Sequence, residues 1–202
     1  LMQQGFVMTV AVGTQFDDFF ALFEQPIQFK LAQNELDERL RHLQKQYHPD
    51  NVKKSTLQGD ADTAKAIQQA EQASAIINQA YQTLSHLDSR AAYLLDIAGQ
   101  AETLDNSIAD LDFLEDAMQL RIDLDDAIDD KDNATLKHLQ PQIAKRLQNQ
   151  SERFDKAYTN QDWQRAIDAT QKLKFLVKLN ADITTAIDDV AKSDHTDDDL
   201  YV

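Results

Sequence analysis

The sequence predicts an all-α protein, and three observations carry that prediction. Only 4 glycines and 3 prolines occur in 202 residues, so few positions favour turns or break helices. Leu, Ala and Gln, all good helix formers, recur throughout. Apolar residues also return every three or four positions along most of the chain, the period of a helix with one buried face.

The first helix is expected within residues 17–25, DDFFALFEQ, with Phe20 and Phe23 inward and Pro26 as its stop. The next starts near Asn34, an expected N-cap with Asp37 three residues on. Its stripe is Leu36, Leu40, Leu43 and Tyr47. Acidic Glu35, Asp37 and Glu38 come early and basic Arg39, Arg41 and Lys45 late, as the helix dipole favours. Pro49 disfavours helical geometry in the residue before it, so this helix ends at Tyr47 or His48. After a polar loop, a long helix starts near Asp62 with the stripe Ile67, Ala70, Ser74, Ile77, Tyr81 and Leu84. These two helices are expected to pack as an antiparallel hairpin. A shorter helix follows from Ser89 to Ile97, and residues 98–109 lack periodicity and read as a linker. Three more helices are expected over about 110–129, 133–159 and 161–191, with a kink or restart at Pro141. Trp163, Ile167, Thr170, Leu173 and Val177 form the core stripe of the last one. Residues 193–202, with four aspartates, read as an acidic disordered tail.

Composition narrows the function. Hydrophobic residues make up 42 %, enough for a core, and the length suits one ordinary domain or two small ones. A formal net charge of −15 repels phosphate backbones, so no nucleic acid partner is expected. The absence of cysteine excludes disulfides and thiolate metal ligands on this chain. His42, His48, His86, His138 and His195 form no i, i+4 pair, and neither a metal nor a cofactor is expected. The mildly apolar stretch Gly5 to Gly13 is too short to span a bilayer, and no Lys or Arg precedes Lys30. Residues 1–15 are therefore expected to be a flexible leader, and the protein to be soluble and cytoplasmic with no membrane partner.

Between the two paired helices stands His48-Pro49-Asp50. Taken alone, the tripeptide reads as a helix stop with two ordinary polar loop residues. A catalytic reading pairs His48 with Asp50 as acid and base, but no nucleophile or glycine-rich phosphate loop accompanies them. A third reading is a docking loop. The cationic face of Arg39, Arg41 and Lys45 leads into it, and the following helix carries Ile77-Asn78-Gln79-Ala80-Tyr81-Gln82-Thr83-Leu84 with Arg90 beyond.

That combination resembles the J domain of chaperone partners. The segments FDDFFALF, HLQKQYHPD, INQAYQTL, RAAYLL, DFLEDAMQLR and QKLKFLVKL, between about Phe16 and Val190, extend the likeness. The chain is similar to HscB-type J-domain co-chaperones of iron–sulfur cluster assembly. The resemblance implies a J domain over 16–97, a linker over 98–109 and a C-terminal three-helix client-binding domain over 110–192. It implies no enzyme. The J domain would stimulate the ATPase of a DnaK-like chaperone, HscA, through His48, Pro49 and Asp50. Arg39, Arg41 and Lys45 would steer it onto an acidic groove. The C-terminal domain would deliver the iron–sulfur scaffold protein IscU. Asn51 and Val52 depart from the basic residue and Phe that many members place after the tripeptide. The alternatives are a J protein for a different client and a helical scaffold with an incidental tripeptide.

The helix from Asp110 carries two apolar lines. At 100° per residue, Phe113, Ala117, Leu120, Leu124 and Ala127 cluster on one face, while Leu111, Leu114, Met118 and Ile122 lie roughly 145° away. The second line either packs away or forms an exposed partner-binding patch. The family resemblance places scaffold contacts here: Leu114 and Met118 match an apolar patch and Arg121 a polar contact. Glu115, Gln119 and Ile122 depart from the usual Met, Glu and Glu. Phe175 on the last helix is a further scaffold-binding candidate, with core packing as its alternative.

Overall fold

The computed structural model describes residues 8–10, 14–16, 18–47 and 61–198. The chain divides into two compact units, residues 1–94 and 95–202. Two short strands, β1 (Met8–Val10) and β2 (Thr14–Phe16), pair antiparallel with Met8 opposite Phe16. They fall in the stretch expected to be a flexible leader; three-residue strands are too short to show an alternating pattern in sequence. All other regular structure among the described residues is helical, so the chain is all-α in class.

In the first unit, α1 (Phe19–Leu22) is started by Asp18, whose carboxylate accepts from the Ala21 N–H at 2.8 Å. Phe19, Phe20, Leu22 and Phe23 are all buried. The chain leaves α1 through Glu24 at φ 54°, with Gln25 N–H bonded to Phe20 O at 2.9 Å, a Schellman turn just ahead of Pro26. Helix α2 (Gln33–Gln46) begins earlier than expected. Its N-cap position is Ala32, which provides no side-chain cap, so Asn34 is not the cap.

Asp37 has a different use. Its carboxylate accepts from Tyr81 Oη and Gln33 Nε2, both at 2.8 Å. The Tyr81 hydroxyl, then Gln33, hold its pKa below the usual carboxylate range. Tyr81 lies on α3 (Ala61–Ser85), so this network ties the hairpin together. Leu36 and Leu43 of α2 face Ile77, Ala80 and Leu84 of α3 in a buried core. Helix α4 (Leu87–Ile97) adds Ala91 and Leu94, and its Tyr93 hydroxyl accepts from the Phe19 N–H at 3.0 Å. Arg90 is buried with its guanidinium 5.3 Å above the Phe29 ring. Burial pulls its pKa down to about 10, so it stays charged at neutral pH.

The second unit is a three-helix arrangement of α5 (Leu111–Asp129), α6 (Asn133–Thr159) and α7 (Trp163–Asp198). Both turns repeat one device. Asp132 N–H bonds Ala127 O at 2.9 Å and Asp162 N–H bonds Ala157 O at 2.8 Å, closing the preceding helices. Each aspartate then caps the next helix: Asp132 accepts from Thr135 N–H and Asp162 from Arg165 N–H. The left-handed positions in these turns are Lys131 (φ 53°) and Gln161 (φ 56°), not glycines. An L side chain there is disfavoured by about 1 kcal/mol. Lys131→Gly and Gln161→Gly are each expected to raise stability by up to about 1 kcal/mol, read from urea melts.

Leu120, Leu124, Leu136, Leu139, Ile143, Leu176, Leu179 and Ile183 form the core of this unit. Pro141 lies inside α6, which runs through it as one element rather than restarting. It removes the donor that would meet the Lys137 carbonyl, and both residues are exposed, so water can take that place. Two other expectations change. Residues 98–109 are not a free linker: Leu104 is buried, and Gln171 Nε2 donates to Thr103 O (3.2 Å) and Asn106 O (2.9 Å). The tail is helical as far as Asp198, although disorder was expected from residue 193.

Lys172, only 3 % exposed, joins α7 to the start of α5. Its Nζ lies 2.7 Å from Asp110 and 2.8 Å from Asp168. Burial pulls its pKa down, but the two carboxylates more than offset this and hold it above the ordinary value. Asp110 also caps α5, accepting from the Phe113 N–H at 3.0 Å, and Lys172 and then that N–H hold its pKa below 3.8. A depressed carboxylate contributes stability that is complete above its unfolded pKa and lost as pH falls through the folded one. Thermal melts should therefore show stability declining below about pH 4, with a shallower decline in Asp110→Asn.

Candidate partner-binding surfaces

Helix α2 ends with Tyr47, whose N–H bonds Leu43 O at 2.9 Å and whose carbonyl accepts from Ser74 Oγ at 3.4 Å. The chain is thus held from α3 at the residue before His48. His48, Pro49 and Asp50 themselves lie outside the described residues, as do Asn51 and Val52. The pattern on α3 now has local reasons. Ile77 and Leu84 are buried, Asn78 Oδ1 accepts from Gln44 Nε2 at 3.3 Å, and Tyr81 bonds Asp37. Each orients α3 against α2.

The three basic residues of α2 are not equivalent. Arg39 turns back onto α1, donating to Leu22 O at 3.3 Å and pairing with Glu24 at 2.9 Å. Arg41 and Lys45 are exposed. Arg39 therefore braces the unit, and its role was not visible in sequence because Glu24 is far from it in the helical pattern.

On α5 the two apolar lines have different fates. Ala117, Leu120, Leu124 and Ala127 are buried and Phe113 packs at the core's edge. Leu111, Met118 and Ile122 are 76 %, 61 % and 50 % exposed, and Leu114 is half-buried. Ile27 and Ile97 are the other exposed large apolar residues among those described, so the surface hydrophobes concentrate on this line. Leu111 is the most exposed of the group and extends the patch by one turn beyond the expected site residues.

Arg121 beside the stripe is engaged within the unit. It pairs with Asp125 at 2.9 Å and, more closely, with Asp182 on α7. The Asp182 bond raises its pKa above the ordinary guanidinium value. Phe175 is half-buried, packed against the core and edge-on to Phe113 with ring centroids 6.4 Å apart. Its ring thus packs against the core while keeping part of its surface exposed. Among the described residues, no group of three or more His, Asp or Glu could hold a metal ion, and no helix is long and apolar enough to cross a membrane.

A braced pair of helices in one unit and an exposed apolar stripe on the three-helix unit fit a protein of the co-chaperone class. Comparison with known proteins agrees. Residues 109–184 match a family model described as the HSCB C-terminal oligomerisation domain. A co-chaperone protein HscB homolog of Acinetobacter baumannii (strain SDF) is 34 % identical over 184 residues, spanning 90 % of this chain and 98 % of that protein. The solved chaperone HscB from Vibrio cholerae is 32 % identical with a TM-score of 0.67, over 86 % of this chain and 99 % of that one. Human co-chaperone protein HscB, 22 % identical, shares the fold with a TM-score of 0.70 over 91 % of this chain and 88 % of its own. The chain belongs to the HscB co-chaperone family, which is not a family of enzymes.

Proposed function

We propose that this chain stimulates ATP hydrolysis by a DnaK-like chaperone of the HscA kind and delivers to it the iron–sulfur scaffold protein IscU, in the cytoplasm. In this reading residues 16–97 act as a J domain and residues 110–192 bind the client. The observation that carries it is a pairing within one chain: His48-Pro49-Asp50 in the sequence between two braced helices, and the exposed Leu111, Met118 and Ile122 line. The experiment is the chaperone's ATPase rate with this chain present, with and without the scaffold.

The bond-breaking groups belong to the chaperone. The J domain changes the chaperone's conformational populations through differential affinity. Pro49 stiffens the loop before contact, and Asp50 offers a carboxylate to an arginine of the chaperone. Arg41 and Lys45, exposed on the approach face, speed the encounter. Arg41→Glu with Lys45→Glu should slow association about tenfold or more at low salt. Stopped-flow measurement across a salt series checks this, and wild-type association should itself slow as salt rises. Arg39→Glu should instead lower stability, because it breaks the bridge to Glu24 and Leu22.

The family model's description favours a second reading for the stripe, in which it covers itself in a homo-oligomer. Sedimentation at micromolar concentration separates the two: a monomer that gains the scaffold as partner supports delivery, and a scaffold-resistant oligomer supports self-association.

A further inference from the structure

We propose that Met118 is an oxidation site that turns the apolar stripe of α5 off, its thioether being converted by a peroxide to the sulfoxide. This inference rests on the reading of that stripe as the scaffold-binding surface. Met118 is 61 % exposed, in a line with Leu111 and Ile122. At 100° per residue, Leu111, Leu114 and Ile122 all lie within about 40° of it, so it sits in the middle of the line. The other three carry only hydrocarbon, and Met118 alone brings a reactive group to the stripe. The chain holds no cysteine, so no thiol of its own intercepts the oxidant first. Hydrogen peroxide is neutral, and a net charge of −15 does not repel it.

The step is a two-electron oxygen transfer. A sulfur lone pair attacks one peroxide oxygen and the O–O bond breaks. That oxygen stays on sulfur, and the other leaves as water with both protons. Sulfur is oxidised by two electrons and the peroxide is reduced by two. A flexible apolar side chain becomes a polar, chiral one. The new oxygen is a hydrogen-bond acceptor, and Leu111, Leu114 and Ile122 offer it no donor. Arg121, three residues on, is committed to Asp125 and Asp182, and Gln119 donates to Asp123. An apolar partner surface laid over the oxidised stripe would leave that oxygen unmatched, which weakens binding. The core is untouched, because the buried Ala117, Leu120 and Leu124 lie on another face of the helix. The reverse step takes a dithiol, which removes the oxygen as water and becomes a disulfide, as in methionine sulfoxide reductases.

The test treats the full chain with hydrogen peroxide and maps added oxygen on Met2, Met8 and Met118 by peptide mass spectrometry. Scaffold affinity is measured by calorimetry before treatment, after it, and after incubation with both epimer-specific methionine sulfoxide reductases and a dithiol. Met118 should take up one oxygen about as fast as free methionine, with the circular dichroism unchanged. Affinity should fall about ten- to a hundredfold and return with the reductases. Met118→Leu, whatever its own affinity, should show the same value before and after peroxide, which separates Met118 from Met2 and Met8. Three results would overturn the proposal: Met118 left unmodified under conditions that oxidise free methionine, an oxidised chain that binds as tightly as the untreated one, or an equal loss in Met118→Leu. An untreated chain that does not bind the scaffold would instead refute the delivery reading, and this inference with it.

Discussion

Leu114→Ala combined with Met118→Ala is expected to cut scaffold binding by roughly thirty- to a thousandfold and leave the fold nearly as stable. The affinity loss corresponds to about 2–4 kcal/mol, the range for truncated apolar anchors at an interface. Met118 is 61 % exposed, so removing its side chain leaves no cavity, and Leu114 is only half-buried. Stability should fall by about 1 kcal/mol in total. Leu124→Ala provides the contrast. It sits on the same helix, wholly buried among Leu120, Leu136 and Ile143, and should cost about 2–5 kcal/mol. Calorimetric titration with the scaffold and urea melts on the same variants separate the two faces. Unchanged scaffold affinity in the double variant would leave the client site unassigned.

His48→Gln is expected to abolish stimulation of the chaperone while leaving the chain folded. Nothing described in the hairpin depends on the imidazole. The end of α2 is fixed one residue earlier by Tyr47, through Leu43 O and Ser74 Oγ. Asp37, Tyr81 and Gln33, together with Gln44 and Asn78, brace the helices at other points. The melting curve should therefore move by no more than about 0.5 kcal/mol, as for other loop substitutions. Circular dichroism and the ATPase assay are read together. A large loss of helix would make His48 structural, and undiminished stimulation would remove the tripeptide from the mechanism.

Much of this was legible in the sequence because helical periodicity reports burial directly. The angular separation of Met118 and Ile122 from Leu120 and Leu124 marked two faces of one helix, and the structure exposes one and buries the other. The hairpin was legible for the same reason, through Leu36, Leu43, Ile77 and Leu84. Features that depend on partners distant in sequence were not. Lys172 reaches Asp110 across 62 residues, and Gln171 pins the 98–109 segment from another helix. Arg39 looked like a free approach charge until Glu24 and Leu22 supplied its partners. The turns at Lys131 and Gln161 use left-handed backbone without glycine, so the usual turn signal was missing. Asn34 had the right chemistry for a cap, yet the helix starts ahead of it, from Ala32, which provides no side-chain cap.

In the function proposed here, one chain couples a chaperone-stimulating tripeptide to a scaffold-binding stripe. Steady-state ATP hydrolysis by the cognate DnaK-like chaperone, titrated with the full chain and repeated with saturating scaffold, tests it most directly. The expected result is a saturable rise in rate with the chain alone and a further rise, at lower chain concentration, when scaffold is present. A rate that stays at the basal level at saturating chain, with or without scaffold, would contradict it.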